Sequence, residues 1–116
     1  KPMALVTLDE TITIAMSVKD RHQSADWYRD MLGFEILYHA DEAGWSEVQT
    51  NTDGVTIGFG EHTKPAPGNC VPVFGVSDLD NARQKWKRLG FDLMAQLMLL
   101  TKWLKPQRFM TLMVTL

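Results

Sequence analysis

An α+β fold is expected for this chain because a strand–helix unit occurs twice at nearly the same spacing. The two copies, residues 18–34 and residues 76–91, both open with Val-x-Asp, continue through an amphipathic helical pattern and close with Leu-Gly-Phe. A start, a body and an end that recur together indicate an internal repeat. Residues 11–18, TITIAMSV, alternate apolar with small or mildly polar side chains and predict a half-buried strand before the first copy.

Each copy contains the signals of a complete helix. Asp20 and Asp78 can cap the first free amide groups, because a carboxylate accepts from backbone N–H groups and is favoured at the positive end of the helix dipole. Gly33 and Gly90 stand where a left-handed residue ends a helix, a conformation that glycine adopts without a Cβ clash. Apolar side chains at helical spacing are expected to pack into the core: Ala25, Tyr28 and Leu32 in the first copy, and Leu79, Ala82, Trp86 and Leu89 in the second.

Further strands are predicted after the first helix. Residues 35–39 and residues 45–50 have strand character, with a turn at residues 41–44 between them. Asn51-Thr52-Asp53-Gly54 predicts a hairpin that leads into a strand at residues 55–60, VTIGFG. Residues 62–69, HTKPAPGN, predict a linker, and residues 71–76 predict a strand that enters the second helix.

This order of elements resembles the paired βαβββ modules of the vicinal oxygen chelate superfamily. That group includes glyoxalase I, bleomycin-resistance proteins, extradiol dioxygenases and fosfomycin-resistance proteins. The resemblance covers about residues 11–92 and rests on the repeated strand, Val-x-Asp, helix and Leu-Gly-Phe. It implies a single domain over residues 1–116, with module one at about residues 11–62 and module two at about residues 69–116. The modules would form a curled mixed sheet around a cleft, with the helices outside.

Composition argues against several classes of function. A chain of 116 residues is long enough for one domain with a real core. Its net charge is −2 and it contains no basic run, so no nucleic-acid partner is expected. The single cysteine, Cys70, excludes an intrachain disulfide and fits a reducing compartment. Neither a signal-peptide pattern nor an apolar run of the roughly 20 residues that span a bilayer is present, so we expect a cytoplasmic protein without a membrane partner.

The segment after Asp92 departs from the expected pattern. Residues 93–116, LMAQLMLLTKWLKPQRFMTLMVTL, contain no acidic residue and no glycine where further strands are expected, so the second module is incomplete or altered. A short helix at about residues 94–104 and a strand at residues 109–116 are predicted, because Pro106 would break a longer helix. Permitted codons can be chosen so that a shifted reading frame is open and encodes DGTTDAIDEMVKAATFYDPDGNT. Because many members of the superfamily have Asp-Pro-Asp-Gly-Asn before their last strand, we hypothesise that residues 93–116 are frameshifted.

The resemblance also implies where a metal ion would bind if this chain were a metal-using member of the superfamily. Metal-using members of the superfamily place His and Glu ligands on the inward faces of the first, fourth, fifth and eighth strands. The corresponding residues here are Thr13, Thr56 or Gly58, and Val71, which ligate poorly, and the eighth-strand Glu is not found. Weaker metal-binding candidates lie elsewhere: His39, His62, Glu47 and Glu61. No metal, no other cofactor and no catalytic residue is therefore predicted.

A cleft with apolar and aromatic walls is the remaining candidate for a functional site. Trp45, Glu47 and Gln49 share one face of their strand, and two arrangements of that face are open. It either lines the cleft, or it has a structural role, in which the face lies over the helix or Trp45 simply caps the core. In the cleft, Trp45 would offer a stacking surface and Glu47 a carboxylate for a cationic ligand, beside a glycine-bearing strand that leaves space. The candidate ligand-binding residues are Thr13, Trp45, Glu47, Thr56 and Gly58.

Three functions follow from the resemblance. The first is a metal-free protein that binds a small aromatic or cationic molecule as a homodimer, like bleomycin-resistance proteins. The second is a glyoxalase- or dioxygenase-type enzyme that acts through a divalent metal. The third is a product without function, if residues 93–116 are frameshifted. We favour the first because the expected metal ligands are missing.

Overall fold

The computed structural model describes residues 4–66, 70, 72–75, 77–88 and 109–111. The chain divides into two compact units, and it passes from the first to the second between Ala66 and Pro67. The division falls within residues 62–69, the segment whose prolines and glycine predict a linker.

The first unit is an α+β structure in which one helix packs on a curled, open sheet of four strands. Its elements in chain order are β1 (Ile12–Ser17), α1 (Arg21–Leu32), β2 (Glu35–Ala40), a short 3-10 helix (Asp41–Ala43), β3 (Trp45–Gln49) and β4 (Val55–Gly60). The strand order is β1-β4-β3-β2, with β1 parallel to β4 and the other neighbours antiparallel. This mixed sheet confirms the predicted fold class.

Asp20 and Gly33 define the ends of α1 as the sequence predicts. The Asp20 side chain accepts a hydrogen bond from the amide of Gln23 at 3.1 Å, which satisfies one of the free donors at the start of the helix. Gly33 is left-handed, with φ of 73°, and its N–H donates to the carbonyl of Arg29. Between these caps, Ala25 and Tyr28 are buried as predicted, and Leu32 is half-buried.

The core lies between α1 and one face of the sheet. The Tyr28 ring contacts Phe59 of β4, with a centroid separation of 5.4 Å. Ile12 is 63% exposed, so the apolar face of β1 is buried only toward its carboxyl end. The buried apolar side chains are Met16, Val18, Ala25, Tyr28, Phe34, Val48, Ile57 and Phe59.

A β-bulge in β2 changes the direction of its side chains. Ile36 lies opposite Val48 of β3, whereas Tyr38 lies opposite Glu47, so the register shifts between Ile36 and Tyr38. Ile36 and Tyr38 therefore face opposite sides of the sheet, although residues two apart on a regular strand share a side.

The second unit contains β5 (Val73–Gly75), α2 (Leu79–Arg88) and β6 (Phe109–Thr111), with β5 and β6 antiparallel. The Asn81 amide donates to the Asp78 carboxylate at 3.0 Å, so Asp78 caps α2 as predicted. β6 falls within the strand predicted at residues 109–116. Val71, the end of the second helix at Leu89 and Gly90, and the helix predicted at residues 94–104 lie outside the described residues. Neither α1 nor α2, the helices of the described part, has the length and hydropathy of a membrane span.

Candidate ligand-binding site

The two faces of β3 have different neighbours. Ser46 and Val48 are fully buried on the side of α1, whereas Trp45, Glu47 and Gln49 are half-buried on the opposite side. Of the two arrangements left open by the sequence, the structure shows the one in which Trp45 and Glu47 point away from the helix. We call this side of the four-stranded sheet, opposite α1, the distal face.

On the distal face, the indole of Trp45 lies across β4. A Cβ atom at Gly58 would lie only 1.8 Å from Cζ2 of Trp45, and one at Gly60 would lie 3.5 Å from Cε3. Only glycine at position 58 leaves room for the ring in this position. The sequence predicts open space in front of Gly58, but the structure fills that space with Trp45 itself.

The carboxylate of Glu47 is held by neutral hydrogen-bond donors. Its Oε1 accepts from Nε1 of Trp45 at 3.0 Å and from the hydroxyl of Tyr38 at 2.9 Å. Partial burial acts to raise the pKa of Glu47, but the hydrogen bonds from Trp45, Thr56 and Tyr38 outweigh it, so that pKa lies below its ordinary value. Glu47 is therefore an anion at neutral pH.

Thr13 extends this arrangement to the edge strand β1. Thr13 and Thr56 are partners in the β1–β4 register, and their hydroxyl oxygens lie 2.8 Å apart in a hydrogen bond. Thr13, Thr56, Glu47 and Tyr38 thus follow one another on the distal face across all four strands of the sheet. We call these four residues together with Trp45 the Glu47 network. The structure brings together all the residues that the sequence nominates: Thr13, Trp45, Glu47, Thr56 and Gly58.

Tyr38 is the member of the Glu47 network that sequence reasoning misses. Simple alternation along β2 assigns Tyr38 to the same side as Ile36, toward the helix, and the bulge moves it to the distal face. Its hydrogen bond to Glu47, its burial and the negative charge of Glu47 raise the pKa of Tyr38, so its hydroxyl remains a donor.

A second polar cluster lies on the other side of the sheet, around Arg21. Arg21, the first residue of α1, is only 6% exposed although its side chain is charged. Its guanidinium donates to Asp41 at 2.6 Å, to Ser46 at 2.9 Å and to Glu61 at 3.1 Å. These bonds connect the start of α1 with the 3-10 helix, β3 and the end of β4. We call Arg21, Asp41, Ser46 and Glu61 the Arg21 cluster.

The weaker metal-ligand candidates from the sequence do not come together. Glu47 lies on the distal face, Glu61 belongs to the Arg21 cluster, and His39 lies beside that cluster, with Nδ1 2.7 Å from Oγ of Ser46. His62 places Nε2 2.7 Å from the carbonyl of Ala43. Within the described residues, no group of three or more His, Cys, Asp or Glu side chains is placed to hold a metal ion. The donor set of this part of the chain does not fit a metal centre.

Comparison with known proteins gives one result at the level of family. No curated protein and no solved structure matches the chain significantly. The model of the Glyoxalase/Bleomycin resistance protein/Dioxygenase superfamily matches residues 11–100, which is well over half of the chain. This match includes both copies of the strand–helix repeat and all the residues of the Glu47 network. The chain belongs to the glyoxalase/bleomycin resistance protein/dioxygenase superfamily.

Proposed function

We propose that this protein binds a small aromatic or cationic molecule on the distal face of its first unit, without a metal. The observation that carries this proposal is the indole of Trp45, laid across Gly58 with its N–H bound to an ionised carboxylate. An aromatic ring beside a fixed negative charge is complementary to a ligand that can both stack and provide a positive charge.

The arrangement is held in place before any ligand arrives. Trp45 is supported by β4 and by Glu47, and Glu47 is supported by Tyr38. Side chains that are already ordered lose little conformational freedom on binding, so more of the contact energy is retained as affinity. The superfamily name covers both binding proteins and enzymes. Binding is favoured here because hydroxyls and an indole surround Glu47, rather than further carboxylates or imidazoles.

The first test is a titration of aromatic cations at neutral pH, followed by calorimetry and tryptophan fluorescence. We expect at least one probe to bind and Trp45→Ala to weaken its affinity by about tenfold or more, because the stacking surface is lost. Trp27→Ala is the matched control, since Trp27 lies on α1 and its ring contacts Tyr28 at a centroid distance of 5.0 Å. This control should change the affinity by less than about twofold. If Trp45→Ala leaves every detected affinity unchanged, the distal face is not the binding site.

A further inference from the structure

The N–H of Trp45 and the O–H of Tyr38 are committed to bonds within the Glu47 network. An ionised carboxylate can only accept, so Trp45 and Tyr38 must each donate to Glu47. The hydroxyls of Thr13 and Thr56 lie 2.8 Å apart and share one hydrogen bond, in which either oxygen can accept. The charge of Glu47 therefore fixes the direction of the bonds from Trp45 and Tyr38.

Gln49, the next residue on the distal face of β3, has also used its donors. Its Nε2 lies 3.0 Å from the carbonyl of Thr52, 3.1 Å from that of Val55 and 3.2 Å from that of Thr50. Two N–H groups are thus shared among three backbone carbonyls of the hairpin, and the side-chain oxygen of Gln49 is left as an acceptor. One hydroxyl hydrogen remains in the pair formed by Ser17 and Thr63, at the Gly60 end of β1.

The charged side chains of the four-stranded sheet are hydrogen-bond acceptors as well, because they are carboxylates. The strands β1 to β4 contain two carboxylates, Glu35 and Glu47, and these four strands contain no lysine or arginine. Glu35 lies opposite Gln49 in the β2–β3 register, so it belongs to the distal face as well. Glu47 forms no ion pair among the described residues, and its negative charge is balanced only by neutral donors.

We infer that the Glu47 network recognises its ligand through hydrogen-bond acceptors, and that the ligand is an aromatic cation with several N–H groups, such as an arylamidine or an aralkyl primary amine. This inference rests on the proposed function and specifies the ligand class. A carboxylate offers about four acceptor positions, of which Tyr38 and Trp45 use two, and the hydroxyl oxygens of Thr13 and Thr56 offer more. A quaternary ammonium would supply charge but leave these acceptors unpaired, and an anionic or carbonyl-rich ligand would place acceptors against acceptors.

The test compares four probes of similar size on the full chain by calorimetry: benzamidine, benzylamine, benzyltrimethylammonium and benzoate. We expect benzamidine and benzylamine to bind at least about tenfold more tightly than benzyltrimethylammonium, because hydrogen bonds to a charged group are worth about one such factor or more. Benzoate should not bind. If benzyltrimethylammonium binds as tightly as benzylamine, or if benzoate binds best, the inference fails while the binding function stands. If none of the probes binds, the proposed function fails with it.

A substitution at Glu47 distinguishes recognition of the ligand by this carboxylate from a general effect of the protein's net charge. Glu47→Gln removes the negative charge and introduces N–H donors, so we expect it to weaken benzamidine binding by about tenfold or more. The matched control is Glu42→Gln, which makes the same change in the exposed 3-10 helix, off the distal face. It should alter affinity by less than about twofold. Equal losses in the two variants would overturn the inference, since overall charge alone would then explain the binding of cations.

Discussion

Glu47 and Arg21 are charged residues of the first unit that are held in opposite ways. Glu47 has neutral donors around it and keeps its charge available on the distal face. Arg21 lies on the helix side, and its charge is matched by Asp41 and Glu61 within hydrogen-bond distance. A charge without an opposite partner is available to a ligand, whereas a charge with two partners connects the elements that carry them. At the scale of single residues, the proposed binding site and the ion pairs of the Arg21 cluster thus lie on opposite faces of one sheet.

Arg21→Lys should lower the thermal unfolding midpoint by about 5 °C or more at neutral pH. An ammonium group cannot reproduce the forked geometry that reaches Asp41, Ser46 and Glu61 together. The matched control is Arg29→Lys in the same helix, where an exposed arginine pairs with Asp26 and Asp30. This control should shift the midpoint far less, because exposed ion pairs contribute little.

The pH dependence of the stability difference between the wild-type protein and Arg21→Lys provides a second measurement. Hydrogen bonds from His22 and then Arg21 lower the pKa of Asp41. A carboxyl group whose pKa is lower in the folded state stabilises the fold at pH above its unfolded pKa, about 3.9, and loses this contribution as the pH falls through its folded pKa. The wild-type protein and Arg21→Lys should therefore approach each other in stability below about pH 4. A difference that grows with acidification would contradict the assigned role of the Arg21–Asp41 pair.

At the scale of elements, the pairing of β3 with β4 depends on which positions carry glycine. Gly58→Ala should displace the Trp45 indole, since the new Cβ would lie 1.8 Å from Cζ2. We expect a loss of about 1–3 kcal/mol of stability, greater quenching of Trp45 by acrylamide and weaker binding of aromatic cations. Gly60→Ala is the matched control, because its Cβ would make an ordinary contact with the same ring at 3.5 Å. Similar behaviour of the two variants would mean that the ring does not rest on Gly58.

The limits of sequence-based prediction are also clearest at this scale. The alternation of β1, β3 and β4 and the caps Asp20 and Gly33 follow from local patterns, and the structure shows them. The position of Tyr38 does not follow from a local pattern, because a bulge depends on which residues of β3 pair with β2. The burial of Arg21 does not follow from one either, since its partners Asp41 and Glu61 are distant in sequence and meet only in the folded sheet.

At the scale of the whole molecule, the two copies of the repeat continue differently. The first copy is followed by β2, β3 and β4, which supply every member of the Glu47 network except Thr13 of β1. The second copy is followed by residues 93–116, whose composition lacks the acidic residues and glycines that turns between strands use. The superfamily match extends past Asp92 to residue 100. We retain the hypothesis that the coding frame changes after Asp92, because permitted codons for residues 93–116 can be chosen whose shifted frame encodes the Asp-Pro-Asp-Gly-Asn turn.

Replacing residues 93–116 with the shifted-frame sequence, extended by a final strand, should therefore raise the unfolding midpoint and favour a homodimer over aggregates. A native strand presents alternating side chains that fix its register, whereas a segment from another frame supplies hydrophobicity without a defined register. The unpaired strand edges that such a segment leaves are prone to recruit further chains without fixed stoichiometry. Scanning calorimetry and light scattering measure both effects, and a scrambled version of the replacement segment is the control. If the repaired chain unfolds at a lower temperature than the present one, residues 93–116 are native, and the second module is a true variant of the first.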